Sequence, residues 1–301
     1  MSATAIYLTG ATASGKSALA LHLAKRLGGE IISVDSMQVY HGLDIGTAKP
    51  SAAEQAKVPH HLIDVAELDE PFDAAKFVRL AKQAEAAIRS RDARPIFCGG
   101  TGLYFRALFD GLGESPPGDE PLRDELEATP LDRLLTELAT KDPATFESID
   151  RQNRRRVIRA VEVIRLTGKP YSSQRSGWDR LQAPGNLFCI TREGDDLTAR
   201  IHERVDAMFA QGLVAETQGL ARRGLRENRT ASQAIGYRQV LEHLDGGPGR
   251  TETVELVKAR TRQFAKRQRT WFRNQMICQP VEWAAGKSVD GCCERLLGML
   301  C

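Results

Sequence analysis

Six cysteines (Cys98, Cys189, Cys278, Cys292, Cys293, Cys301) lie along the 301 residues without a C-x-x-C pair or any zinc-ligand spacing. Nothing in that usage points to a zinc ribbon or a disulfide scaffold, and a reducing cytosol fits it best. The adjoining Cys292 and Cys293 are poorly placed to bridge each other. Also missing are a basic leader followed by an apolar core and any run approaching the roughly 20 apolar residues of a membrane span. The expectation is a soluble, unprocessed, cytoplasmic chain with no membrane partner. There is no internal repeat and no low-complexity segment. Excess charge of one sign is absent too, with 42 Lys+Arg against 39 Asp+Glu and a net charge of +3. Any nucleic-acid surface must therefore come from local segregation of charge. Core-forming residues are plentiful at 42%, enough for one large domain or two ordinary ones.

Close to the start stands G-x-x-x-x-G-K-S, written as Gly10, Ala11, Thr12, Ala13, Ser14, Gly15, Lys16 and Ser17. The apolar run Ala5 to Leu8 precedes it and an amphipathic stretch, Ala18 to Leu27, follows. Strand, glycine-rich loop and helix in that order make the string a phosphate site. The glycines let successive N–H groups curl inward, where the helix N-terminus adds its partial positive charge. Lys16 supplies a full charge for a polyphosphate, and Ser17 a hydroxyl for magnesium.

Short apolar runs at Ala5 to Leu8, Ile31 to Val34 and Pro95 to Cys98 alternate with helical patterns from Lys16 and around Ala74 to Arg89. This rhythm predicts an α/β fold with a parallel sheet and crossover helices. Turn formers from Gly113 to Asp119 break the pattern. Helical periodicity then takes over at Leu131, Leu134, Leu135 and Leu138, and again from Asn153 to Leu166, before Gly168 and Pro170. A second break at Ala183 to Asn186 precedes the apolar run Leu187 to Ile190, after which helices dominate. The expected organisation is a core of residues 1–112 and 187–301 with a helical insertion at 113–186.

Ligands on such sheets gather beyond the carboxyl ends of the strands. Asp35 ends the second apolar run and should project into that crevice, as a base, a magnesium ligand or a helix N-cap; position alone does not choose. Thr101, within Gly99-Gly100-Thr101-Gly102, ends another run as a ligand-facing or a turn hydroxyl. Two segments are basic without interleaved acids. Arg151, Arg154, Arg155, Arg156 and Arg159 form one; Lys258, Arg262, Lys266, Arg269 and Arg273 share a helical face in the other, with Phe264, Gln268 and Trp271 expected to pack inward. A phosphate backbone is the expected partner of both. His60-His61 and the cysteines of the tail read as structural.

Taken together, several strings resemble the tRNA dimethylallyltransferases, also called tRNA isopentenyltransferases. They are Gly10 to Ser17, Asp35-Ser36-Met37-Gln38-Val39-Tyr40, Asp44 to Pro50, His60-His61-Leu62, Gly99 to Tyr104, Arg156 to Val163, Thr167 to Pro170, Ala234 to Gln239 and Ala265 to Trp271. The resemblance implies a P-loop NTPase-like sheet with flanking helices and a tRNA-binding insertion. It also implies a magnesium-dependent transfer of the dimethylallyl group of dimethylallyl diphosphate to the exocyclic amine of the adenosine 3′ of the anticodon. Asp35 becomes the general base, and Thr101 hydrogen-bonds at the same amine. Asp35, Ser36, Met37, Gln38, Thr101, Arg123, Arg159, Ala160, Val161, Glu162, Val163, Gln233, Ala234, Ile235, Gly236, Tyr237 and Arg238 match positions against the anticodon stem-loop. Arg223, or Arg222 beside it, matches a diphosphate-binding arginine. A monomer of bacterial type, without the eukaryotic zinc finger, is implied, and the tail after about residue 280 matches nothing. The rival is a nucleoside or small-metabolite kinase, which shares the loop, the acid and the magnesium but needs no basic faces.

Overall fold

The computed structural model describes residues 4–113, 115–174, 181–182 and 184–300. Glu114 and Ala183 of the expected breaks, and Cys301 of the tail thiols, lie outside them. The chain forms two compact units, Met1–Phe109 with Arg180–Cys301, and Asp110–Asp179.

The described residues form eight strands: β1 Ile6–Gly10, β2 Gly29–Val34, β3 His60–His61, β4 Arg94–Gly99, β5 Leu181–Gln182, β6 Leu187–Thr191, β7 Met276–Ile277 and β8 Gln279–Glu282. Six of them make a parallel sheet in the order β3-β2-β4-β1-β6-β8, while β5 and β7 pair separately. The four apolar runs read from the sequence are its inner strands. Both faces of a parallel sheet are covered, so such strands are apolar throughout instead of alternating, and every residue of β2 is buried.

The edges were not anticipated. Only Val281 is buried in β8, and Pro280 sits where an edge strand tolerates a missing donor; no apolar run marks it. On one face Leu19 and Leu23 of the Lys16–Leu27 helix pack on Ile6, Leu8 and Ile96, together with Cys292, Cys293 and Leu296 of the C-terminal Val289–Leu300 helix. Cys292 and Cys293 are thus buried free thiols. On the other face Phe77 and Ile88 of the Ala74–Arg89 helix join Phe97, Phe105 and Phe272, with the Tyr7 ring stacked on Phe97 at 4.9 Å.

The described residues of the second unit form five helices, Glu120–Ala128, Leu131–Lys141, Pro143–Ser148, Arg154–Thr167 and Tyr171–Gln174. Leu126, Leu134, Leu138, Val157, Val161 and Ile164 from three of its helices form its core. Gly168, at φ 69°, ends the Arg154–Thr167 helix and returns its N–H to the Ile164 carbonyl at 2.8 Å, the stop the sequence marks. Among the described residues no helix is long and apolar enough to cross a membrane.

Candidate functional site

β1 ends at Gly10, where φ is +147° and a Cβ would stand 2.6 Å from the Ile190 carbonyl oxygen. Only glycine lets the chain turn so tightly against β6. The loop that follows is gripped from outside. Gln268 Oε1 accepts from Thr12 N at 2.8 Å, Arg192 Nε donates to the Ser14 carbonyl at 2.7 Å, and Arg200 Nε donates to the Ala13 carbonyl at 3.0 Å. Arg204 Nη1 reaches Thr12 Oγ1 at 3.4 Å. Carbonyls held outward leave the cradle to donors, including the partnerless N–H groups of the first helical turn. Ser14 Oγ is buried without a hydrogen-bond partner in the structure, as a donor meant for a ligand oxygen would be. Lys16 Nζ rests on the Ala11 carbonyl at 3.2 Å. Desolvation, assisted by the Arg204 guanidinium, pulls this ammonium below the ordinary lysine range, against the pull of Asp35 and Cys98. Burial pushes the neighbouring Cys98 thiol up to about 11, so it is no nucleophile at neutral pH.

The carboxyl ends of β2 and β4 come together beside the loop. Thr101 N donates to the Val34 carbonyl at 3.2 Å, and Thr101 Oγ1 accepts from Ser36 N at 3.1 Å. Asp35 Oδ1 accepts the N–H groups of Met37 and Gln38 at 2.9 and 3.3 Å. Two backbone donors thus anchor one carboxylate oxygen. Gln268 closes the circle, its Nε2 donating to the Gly100 carbonyl at 2.9 Å. The three strand ends that the sequence marks are therefore tied to one another by hydrogen bonds.

Other expected residues are placed differently. Arg154 donates to the carbonyls of Leu126, Glu127 and Thr129 at 3.3, 2.7 and 2.5 Å, which makes it a cap for the Glu120–Ala128 helix instead of a free phosphate ligand. Lys258 is engaged by Asp206 at 2.8 Å and Glu255 at 3.0 Å, and Arg262 contacts His202. The acids missing between these bases in sequence are supplied partly by another helix. Phe264, expected to pack inward, is 36% exposed. Ala160, Val161, Glu162 and Val163 are buried side chains, so Arg159 is the member of that stretch with a surface. Ala234 and Tyr237 are buried likewise, whereas Gln233 and Arg238 are exposed and bonded to each other at 3.1 Å. Arg223 pairs with Glu67 at 3.8 Å and lies against Gly42.

His60 and His61 hold structure, with His60 Nδ1 at 2.8 Å from the Val58 carbonyl and His61 Nε2 at 2.6 Å from Glu30. Sequence reasoning missed Arg192, Arg200, Arg204 and Gln268. The spacing of Arg200 and Arg204, one turn apart on the Gly194–Ala210 helix, was the available signal for two of them.

Loop and sheet together define a P-loop protein of the α/β class. The family described as IPP transferase matches residues 38–275. A protein named tRNA dimethylallyltransferase 1, from Trichlorobacter lovleyi, is 50% identical over 291 residues, 93% of each chain. The tRNA dimethylallyltransferase of Geobacter metallireducens is 46% identical over 274 residues, 89% of each. Among solved structures, the full-length tRNA isopentenylpyrophosphate transferase of Bacillus halodurans superposes with a TM-score of 0.71 at 39% identity, covering 100% of this chain and 96% of that one. A eukaryotic dimethylallyltransferase acting on tRNA gives 0.78 at 26% identity, covering 97% and 77%. This chain belongs to the IPP transferase family.

Proposed function

We propose that the protein transfers the dimethylallyl group of dimethylallyl diphosphate to the exocyclic amine of the adenosine 3′ of a tRNA anticodon, acting as a cytoplasmic monomer. The observation that carries this reading is Asp35, whose Oδ1 accepts two backbone N–H groups next to the residue that Thr101 holds and near enough to Lys16 to act on its charge. An aromatic amine is a weak nucleophile and needs an aligned proton acceptor. As nitrogen bonds the allylic carbon, the carbon–oxygen bond breaks, pyrophosphate leaves with the electron pair, and the amine proton passes to Asp35. Thr101, oriented by the Ser36 N–H, stands at the same amine. The loop N–H groups, Lys16 and the Ser14 hydroxyl take up the charge that grows on the leaving group.

Hard oxygen donors suit magnesium, which keeps most of its waters. No group of three His, Cys, Asp or Glu among the described residues could hold a metal, so Ser17 and the substrate's phosphate oxygens would hold it, where it would neutralise charge. Arg223 is proposed for the diphosphate, and Arg123, Arg159, Gln233 and Arg238 for the anticodon stem-loop. The target base has to leave its stack to reach Asp35.

Labelled dimethylallyl diphosphate and labelled ATP, each offered with bulk tRNA, test this reading. Label should pass from the former to tRNA. Asp35→Asn should lower the single-turnover rate by about 10² to 10⁴-fold and leave tRNA affinity nearly unchanged. Phosphoryl transfer from ATP without prenyl transfer would establish a kinase instead.

A further inference from the structure

Glu216 and Tyr237 touch neither the phosphate loop nor Asp35, yet both act on the loop at residues 44–48. Glu216, on the Leu213–Ala221 helix, takes the N–H of Ile45 with both oxygens, at 3.1 and 3.0 Å. It also accepts from Gly46 N at 3.4 Å. The Tyr237 hydroxyl, at the start of the Tyr237–Leu244 helix, donates to Glu216 at 2.6 Å and accepts from Gly46 N at 3.1 Å. The backbone lies flat on the ring: a Cβ at Gly46 would stand 2.4 Å from Tyr237 Cε2, so the register of the contact is fixed. Lys49 pins the far end, with Nζ on the Tyr40 carbonyl at 2.9 Å and on Asp44 and Asp64 at 2.6 and 2.5 Å.

The clamped loop in turn holds Gln38. Gln38 Nε2 donates to the carbonyls of Thr47 and Ala48 at 3.2 and 3.4 Å, and Gln38 Oε1 accepts from Ser33 Oγ at 2.9 Å. The N–H of the same residue is one of the two that anchor Asp35 Oδ1. Hydrogen bonds joined by the covalent backbone of the loop and by Gln38 itself therefore link Glu216 to the carboxylate.

We propose that Glu216 and Tyr237 are positioning residues for Asp35, acting through the 44–48 loop and Gln38 to aim the proton acceptor. The proposal rests on the reading of Asp35 given above. Groups that orient a reacting side chain contribute about 10 to 100-fold, because misplacement by about 1 Å costs that order in rate.

The test measures single-turnover dimethylallyl transfer at saturating tRNA and diphosphate, so that affinity drops out. Glu216→Ala should lower this rate by about 10 to 100-fold, with the KM for dimethylallyl diphosphate within about twofold of wild type. Glu216→Gln, which keeps one acceptor oxygen, should recover part of the loss. Tyr237→Phe keeps the packed ring, removes only the hydroxyl, and should show a smaller loss of the same kind. Combining Glu216→Ala with Gln38→Ala should cost less than the product of the separate losses, since both break one path. A wild-type single-turnover rate in Glu216→Ala or in Tyr237→Phe, or losses that multiply, would overturn the proposal. Failure of the wild-type protein to prenylate tRNA would instead overturn the reading on which it rests.

Discussion

Gln268 shows what one amide can do when both its ends are used. Its oxygen holds the phosphate loop and its nitrogen holds the end of β4, so the loop and the Thr101 turn share one spacer. Gln268→Ala leaves a buried donor and a buried acceptor without partners, which should cost about 1–3 kcal/mol of stability. We expect it to raise the KM for dimethylallyl diphosphate by about tenfold, from the same lost bonds; steady-state kinetics and thermal unfolding on one preparation check both. Asp35 and Thr101 were legible because each follows an apolar run, and strand ends are where ligands gather on parallel sheets. Gln268 was legible as an inward-facing side chain but not as a bridge. Its partner lies 256 positions away, and no local pattern encodes that distance.

The Arg154–Thr167 helix carries a buried carboxylate in its middle. Glu162 is 0% exposed, with Arg123 Nε at 2.7 Å and Arg159 Nη1 at 2.6 Å, and it also accepts from Asp119 N at 2.9 Å. Burial works to raise its pKa, but the bonds from Arg159, Arg123 and Asp119 prevail and hold it below its ordinary 4.5. The folded form thus binds this proton less readily than the unfolded chain. The resulting stability is present above the ordinary carboxylate value and is lost as pH falls through the lowered one. Thermal unfolding followed from about pH 6 to 3 should show this acid loss, and Glu162→Gln should flatten it. The same substitution should cost about 1–3 kcal/mol at neutral pH, because the two arginines lose a charged partner. Periodicity revealed this helix and its glycine stop. It could not reveal that Arg154 caps a neighbouring helix, or that Glu162 lies inside, since both depend on how helices meet.

Across the whole molecule 42 basic residues nearly balance 39 acidic ones, so tRNA affinity has to come from bases that folding gathers locally, and those it leaves without an acidic partner are the freest to meet phosphate. On the Arg250–Gln275 helix Lys266, Arg269 and Arg273 are exposed and have no acidic partner among the described residues, unlike Lys258. Replacing these three by alanine should flatten the log–log dependence of tRNA affinity on salt by about two units, at about 0.7 to 0.9 per phosphate contact. Filter binding across a salt series reads it, and the KM for the diphosphate should stay put; an unchanged slope would mean a solvated face. The parallel sheet was legible from four apolar runs, whereas its edge strands β3 and β8 were not, being short and polar. The place of β1 has a temporal consequence. Tyr7 pairs with Phe97 on one side and Leu187 on the other, and the loop that β1 launches waits for Gln268. Thr12 of the phosphate motif leaves the ribosome 256 residues before Gln268 does, so its cradle is completed only once that late helix has emerged. A nascent polypeptide can therefore carry the motif long before it can grip a ligand.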